Sequence, residues 1–183
     1  MIKTLRHEFA ATMLQIAEQD QRLVVMVGDI SHGILKPFRD RFPERYFNIG
    51  ILEPTMVSMA AGMRAEGQIP VIHTIAPFLL ERSFEQIKLD FAYHGLSGNI
   101  VTVGSAFDYS NLGCTHHCYG DFSLINTLPN VEVLYPAGMG EFEAMFAEHY
   151  DNELLTVYRL TSHVHGLNID GLGDRSIENK QMV

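Results

Sequence analysis

Cys114-Thr115-His116-His117-Cys118 brings two thiols and two imidazoles together within five residues, side chains that bind metals or move protons. As a metal site the run is poor. Adjacent histidines and a three-residue gap between the cysteines would strain one tetrahedral centre, and the usual second ligand pair is missing. An imidazole such as His116 is well suited to hydrogen bonding and proton exchange near neutral pH. Glu53 places a carboxyl directly after a strand-like segment, at the opening of a helix. Held in a cleft and poorly solvated, such a group favours its neutral form and can exchange a proton near neutrality. The plainer reading of Glu53 is a favourable partner for the helix dipole. His73 reads as a hydrogen-bonded strand histidine and His32 as a loop candidate for substrate contact. Neither GxxxxGK[ST] nor GxGxxG occurs, so the two commonest nucleotide-cradling turns are missing.

Positioning such groups requires a scaffold. Leu5, Phe9, Met13 and Ile16, at spacings of four, four and three, predict an amphipathic helix over 4–19 with Thr4 as N-cap. Leu23–Val27, ended by Gly28-Asp29, predicts a strand covered on both faces. A loop with Gly33, Pro37 and Pro43 leads to an aromatic strand over 46–50. Residues 53–66 then read as a helix with Pro54 in its first turn and a small-residue face, Ser58, Ala60, Ala61 and Gly62, suited to close packing. Next come a strand over 70–75, a helix over 79–94, a strand over 99–103 and a glycine-bearing loop over 104–120. A short helix over 121–127, a strand over 131–135, a helix over 140–149 and a strand over 154–158 complete the pattern. These elements imply an α/β fold: an open, mostly parallel six-stranded sheet with helices on both faces, with ligands beyond the carboxyl ends of its strands. Residues 1–162 form one domain in this reading. The stretch 163–183, with Gly166, Gly171, Gly173, Asp170 and Asp174, reads as a tail or linker.

A chain of 183 residues, 46% hydrophobic and 19% charged, has the size and composition of one folded domain. Its 13 Lys+Arg against 22 Asp+Glu give a net charge of −9 spread along the sequence, which argues against nucleic-acid and anionic-membrane partners. The longest uncharged apolar-leaning stretch, 69–80, falls short of the ~20 residues that span a bilayer. Charges near the N-terminus speak against a signal peptide, so the expected compartment is the cytoplasm, with both cysteines as thiols.

One ordered set of motifs goes further. It comprises Phe42-Pro43-Glu44-Arg45-Tyr46-Phe47-Asn48-Ile49-Gly50-Ile51-Leu52-Glu53, Arg82-Ser83-Phe84-Glu85-Gln86-Ile87-Lys88, Thr115-His116 and Leu128-Pro129-Asn130, with Arg6 and Asp29-Ile30 ahead of it. In this order and spacing it resembles the pyrimidine-binding domain of the transketolase family of thiamine-diphosphate enzymes. The resemblance implies that Glu53 hydrogen-bonds the ring nitrogen of the aminopyrimidine and so promotes loss of the thiazolium C2 proton. It also implies that Phe78 stacks on that ring, Asp29 and Ile30 lie near the thiazolium, and His116 contacts substrate. Arg6 and Arg159 fall where the family holds a sugar-phosphate group, a task suited to guanidinium. Counted back from Arg82, Phe78 lies one residue further away than in the family pattern, which leaves the stacking role open to a neighbour.

The family's diphosphate-binding domain, with its Gly-Asp-Gly…Asn signature for Mg²⁺ and the cofactor diphosphate, has no counterpart in this sequence. The resemblance therefore implies a separate subunit that supplies it, in an α2β2 assembly, with the present chain inactive alone. The implied reaction is transfer of a two-carbon ketol unit between sugar-like, phosphorylated substrates. Asn111-Leu112-Gly113 stands where the family carries an Asp before the Gly, and Pro54 stands where Gln or Asn is common. Both differences bear on substrate choice. Two other readings remain at this level: a non-catalytic regulatory partner that keeps the fold, and a small metal or redox protein using Cys114 and Cys118.

Overall fold

The computed structural model describes residues 4–162, so the tail expected over 163–183 lies outside the described residues. Six strands, β1 (Leu23–Val27), β2 (Tyr46–Asn48), β3 (Ile69–Ile75), β4 (Gly98–Val103), β5 (Val131–Leu134) and β6 (Leu155–Leu160), form one sheet in the order β2-β1-β3-β4-β6-β5. Every pairing is parallel, a stricter outcome than the mostly parallel sheet expected from the sequence. Burial on both faces marks the inner strands β1, β3, β4 and β6, whereas the edge strands β2 and β5 are only partly covered.

Alternation along the strands divides the core into two layers. Leu23, Val25, Val27, Val71, Val101, Tyr158 and Leu160 face α1 (Leu5–Gln19), α2 (Lys36–Arg41) and α6 (Glu141–His149) through Phe9, Met13, Phe38, Phe142 and Phe146. Met26, Ile72, Ile100, Leu155 and Val157 face α3 (Glu53–Ala65), the helical segment 77–93 and α5 (Asp121–Ile125). The carboxylate of Glu8 on α1 accepts hydrogen bonds from the Gly140 and Glu143 N–H groups at 2.9 and 3.0 Å, capping α6 and tying the two helices together.

Two elements depart from the sequence reading. Residues 36–41, expected as loop, form α2, with Pro37 in its first turn and Phe38 as its buried anchor. The single helix expected over 79–94 is instead two wide turns, Pro77–Glu81 and Ile87–Tyr93, joined by α4 (Phe84–Gln86). Arg82 N–H donates to Pro77 O at 3.0 Å, a bond spanning five residues. Such a turn absorbs one extra residue in a helix. It gives a place to the additional position that the resemblance implies between Phe78 and Arg82.

His73 lies wholly buried on β3, with Nδ1 2.8 Å from Val101 O and its ring 4.6 Å from that of Phe9, as a satisfied strand histidine should. Burial lowers its pKa to about 4, assisted by the charge of Arg6 and opposed by the Val101 bond. The folded chain therefore keeps His73 neutral at pH values where the unfolded chain would protonate it. Stability from this source is complete above pH ~6.5 and is lost as the pH falls through 4, by about 3 kcal/mol. Urea titrations between pH 7 and 4 should show this decline, shallower in His73→Gln. Glu8→Ala, which uncaps α6, should cost ~1 kcal/mol at pH 7 in the same assay.

Candidate functional site

The sequence places Glu53 by a short sharp path. β2 ends at Asn48, Gly50 turns the chain at φ +77°, and α3 begins at Glu53 with Pro54 filling a position whose N–H needs no helical partner. Asn48 holds this turn against the end of β1. Its Oδ1 accepts from the N–H groups of Asp29 and Gly50, both at 3.1 Å, while its Nδ2 donates to Asp29 Oδ1 at 3.2 Å. Asp29 is thereby fixed at φ +56°, a conformation uncommon for a non-glycine residue. Gly28 permits the close approach of three strand ends, since a Cβ there would lie 3.0 Å from Thr74 Oγ1 and 3.4 Å from Gly50 O.

Glu53 is 1% exposed, a carboxyl group shut away from water. Arg82 Nη1 donates to its Oε2 at 3.0 Å; Oε1 accepts no hydrogen bond from the described residues. The Arg82 guanidinium also lies 4.4 Å from the centre of the Phe78 ring, one helical turn earlier. Phe78 in turn meets the edge of the His116 ring at 5.1 Å, and Tyr109 stands 6.4 Å beyond His116. Thr115 Oγ1 lies 3.0 Å from His116 Nδ1. Tyr109 rests on Gly104, where a Cβ would lie 2.4 Å from the ring at φ +80°. The structure thus assembles a buried carboxyl with one oxygen unbonded among the described residues, a half-buried aromatic ring and an imidazole, all beyond the carboxyl ends of the strands. Such a set can hold a planar nitrogen heterocycle by one hydrogen bond and one stacking face.

Other expected residues are distributed around this cluster. Asp29 and His32 are exposed at the rim, their side chains 4.0 Å apart, with Ile30 half-buried between them. Arg6 donates through Nε and Nη2 to Ser31 Oγ at 3.2 and 2.9 Å. Arg159 does not join Arg6. Its position on β6 has the parity of Leu155 and Val157, placing it in the α3–α5 layer, opposite the layer of α1. There it forms a two-pronged ion pair with Asp121, lies 3.4 Å from Cys118 O and packs over Phe122 and Tyr135. The α3 face expected for close packing is divided: Ala60 and Ala61 are buried in the core, Ser58 and Gly62 exposed.

Cys114 is exposed and Cys118 buried, its thiol 3.7 Å from Glu81 Oε1. Burial, then the charges of Asp121 and Glu81, push the Cys118 pKa up. Among the described residues no three metal-ligating side chains come together.

Arg82 stands within a sequence motif that by itself gives it no role; the available signal was its place one turn after Phe78. Asn48, Ser31 and Tyr109 were likewise without a role at the sequence level. Their partners lie far along the chain or depend on backbone conformations that spacing does not disclose.

The chain is similar to known proteins in sequence and fold. The family described as "Transketolase, pyrimidine binding domain" matches residues 3–161. An uncharacterized 33.6 kDa protein in the fasciation locus of Rhodococcoides fascians is 35% identical over 86% of this chain and 50% of its own length. One subunit of the apulose-4-phosphate transketolase of Actinobacillus succinogenes is 33% identical over 65% of this chain and 39% of its own. A solved split-gene transketolase, described as an inactive β4 tetramer, superposes with a TM-score of 0.78 at 26% identity, over 88% of this chain and 52% of that one. The chain thus spans about half of two of these proteins and less of the third. With nearly all of its described residues matched by that family, the chain belongs to the transketolase pyrimidine-binding domains.

Proposed function

We propose that this chain is the pyrimidine-binding subunit of a two-component, thiamine-diphosphate-dependent transketolase-like enzyme of the cytoplasm. It transfers a two-carbon ketol unit between sugar-like, phosphorylated substrates. The observation that carries this reading is the buried Glu53 carboxyl, whose Oε1 accepts no hydrogen bond among the described residues, beside the half-buried ring of Phe78. Kinship with a protein named as a transketolase subunit supports a separate partner. We assign the Mg²⁺ and diphosphate end of the cofactor to that partner, in an α2β2 assembly, so that this chain is inactive alone.

When bound, the cofactor supplies a carbon nucleophile. This chain's residues prepare it. Glu53 presents Oε1 to the ring nitrogen and holds or shares a proton there, while Phe78 offers a stacking face that fixes the ring plane. Asp29 and Ile30 line the thiazolium end. His116 and His32 contact substrate oxygens, and Arg6 binds the phosphate. Arg159 serves the site indirectly in this reading, because reaching a phosphate would break its buried pairing with Asp121.

Reconstituted with a diphosphate-domain partner, Glu53→Gln should lower kcat at least ~100-fold while leaving the urea midpoint near that of the parent chain. Unchanged turnover in that variant would remove the mechanism. Phe78→Ala should weaken thiamine diphosphate binding to the pair about tenfold, measured calorimetrically. Chelation of Mg²⁺ should abolish cofactor binding to the pair, yet leave the thermal midpoint of this chain alone unmoved.

A further inference from the structure

Two buried polar side chains have no part in the chemistry above, and both stand where the sheet reverses its winding. The chain runs outward from β1 to β2 on one side and from β3 to β4 on the other. The crevice beyond the carboxyl ends of β1 and β3 is therefore the switch point at which open α/β sheets bind ligands. Ser31 sits in this crevice at φ +60°, with its hydroxyl 2.7 Å from His73 Nε2.

The direction of each hydrogen bond is dictated by chemistry. Val101 O can only accept, so His73 Nδ1 donates to it, and the neutral ring leaves Nε2 as an acceptor. Nε2 then takes the Ser31 hydroxyl hydrogen, and Ser31 Oγ turns its lone pairs to Arg6 Nε and Nη2. A protonated His73 would reverse this order and set a second cation against Arg6; burial prevents it. Arg6 is also distinctive in its charge. Arg22, Arg39, Arg41, Arg45, Arg64, Arg82 and Arg159 all pair with carboxylates, whereas Arg6 forms no ion pair among the described residues. Its rotamer freedom is surrendered to a neutral hydroxyl, so its charge stays uncompensated and its orientation is set before a ligand arrives.

We infer that Ser31 and His73 are positioning residues that aim Arg6 at the anionic end of the substrate, and so set the preference for phosphorylated over unphosphorylated sugars. The inference rests on the reading of Arg6 as the phosphate ligand.

The test compares Ser31→Gly, Arg6→Met and the double variant in the reconstituted complex, with glyceraldehyde 3-phosphate and glyceraldehyde as acceptors. Glycine suits φ +60°, so the hydroxyl is lost without backbone strain. Ser31→Gly should raise KM for the phosphorylated acceptor about tenfold, with kcat and the KM for glyceraldehyde unchanged. Arg6→Met should raise the KM for the phosphorylated acceptor at least as much, and the double variant should be no worse than Arg6→Met, because the two residues act as one unit. If Arg6→Met raises that KM and Ser31→Gly does not, the positioning inference falls while the reading of Arg6 stands. If Arg6→Met has no effect on the phosphorylated acceptor, that reading fails and takes the inference with it. Equal effects of Ser31→Gly on both acceptors, or a loss confined to kcat, would make its role structural and overturn the inference.

Discussion

A carboxyl group removed from water is the constraint around which this domain is arranged. Burying such a polar group without enough partners is costly, and the favourable end of a helix returns at most ~2 kcal/mol. The N-terminus of α3 therefore cannot hold Glu53 unaided, and Arg82 supplies the remaining compensation at 3.0 Å. That requirement reaches into the next segment. Arg82 must arrive from a helix that also presents Phe78, and the wide turn over Pro77–Glu81 sets both in place despite an additional residue between them. The Glu53–Arg82 pair thus sits together with an irregular helix, a cation over an aromatic ring and the contact of Phe78 with His116.

The strand ends gather this machinery from both layers of the core. Asn48 clamps the end of β1 to the turn before Glu53, and Gly28 lets β3 come close. Arg6 reaches the same end of the sheet from α1 in the other layer. The phosphate and cofactor contacts proposed above would therefore rest on different helices while sharing one crevice. The parallel sheet is the rigid part that keeps them in register.

Much of this was legible in the sequence because burial leaves periodic traces. Leu23–Val27 announced a strand covered on both faces, the spacing of Leu5, Phe9, Met13 and Ile16 announced α1, and Glu53 was placed at a helix start. What escaped detection has physical reasons. The helix α2 is six residues long and buries only Phe38, too little for a helical period to emerge. A five-residue turn has no hydrophobic signature, although the extra residue between Phe78 and Arg82 was its footprint. The expected strand over 154–158 stopped one residue before Arg159. Extending its alternation from Leu155 and Val157 would have placed that arginine in the layer opposite Arg6. The Ser31–His73 contact joins residues 42 positions apart through a left-handed serine, and no local pattern encodes it.

The most direct test is a crystal structure of this chain bound to its diphosphate-domain partner, thiamine diphosphate and Mg²⁺. Glu53 Oε1 should then lie within about 2.6–3.2 Å of the pyrimidine ring nitrogen, with the Phe78 ring stacked against the heterocycle. A pyrimidine seated elsewhere, with Glu53 bonded to Arg82 alone, would contradict the role given to that carboxylate.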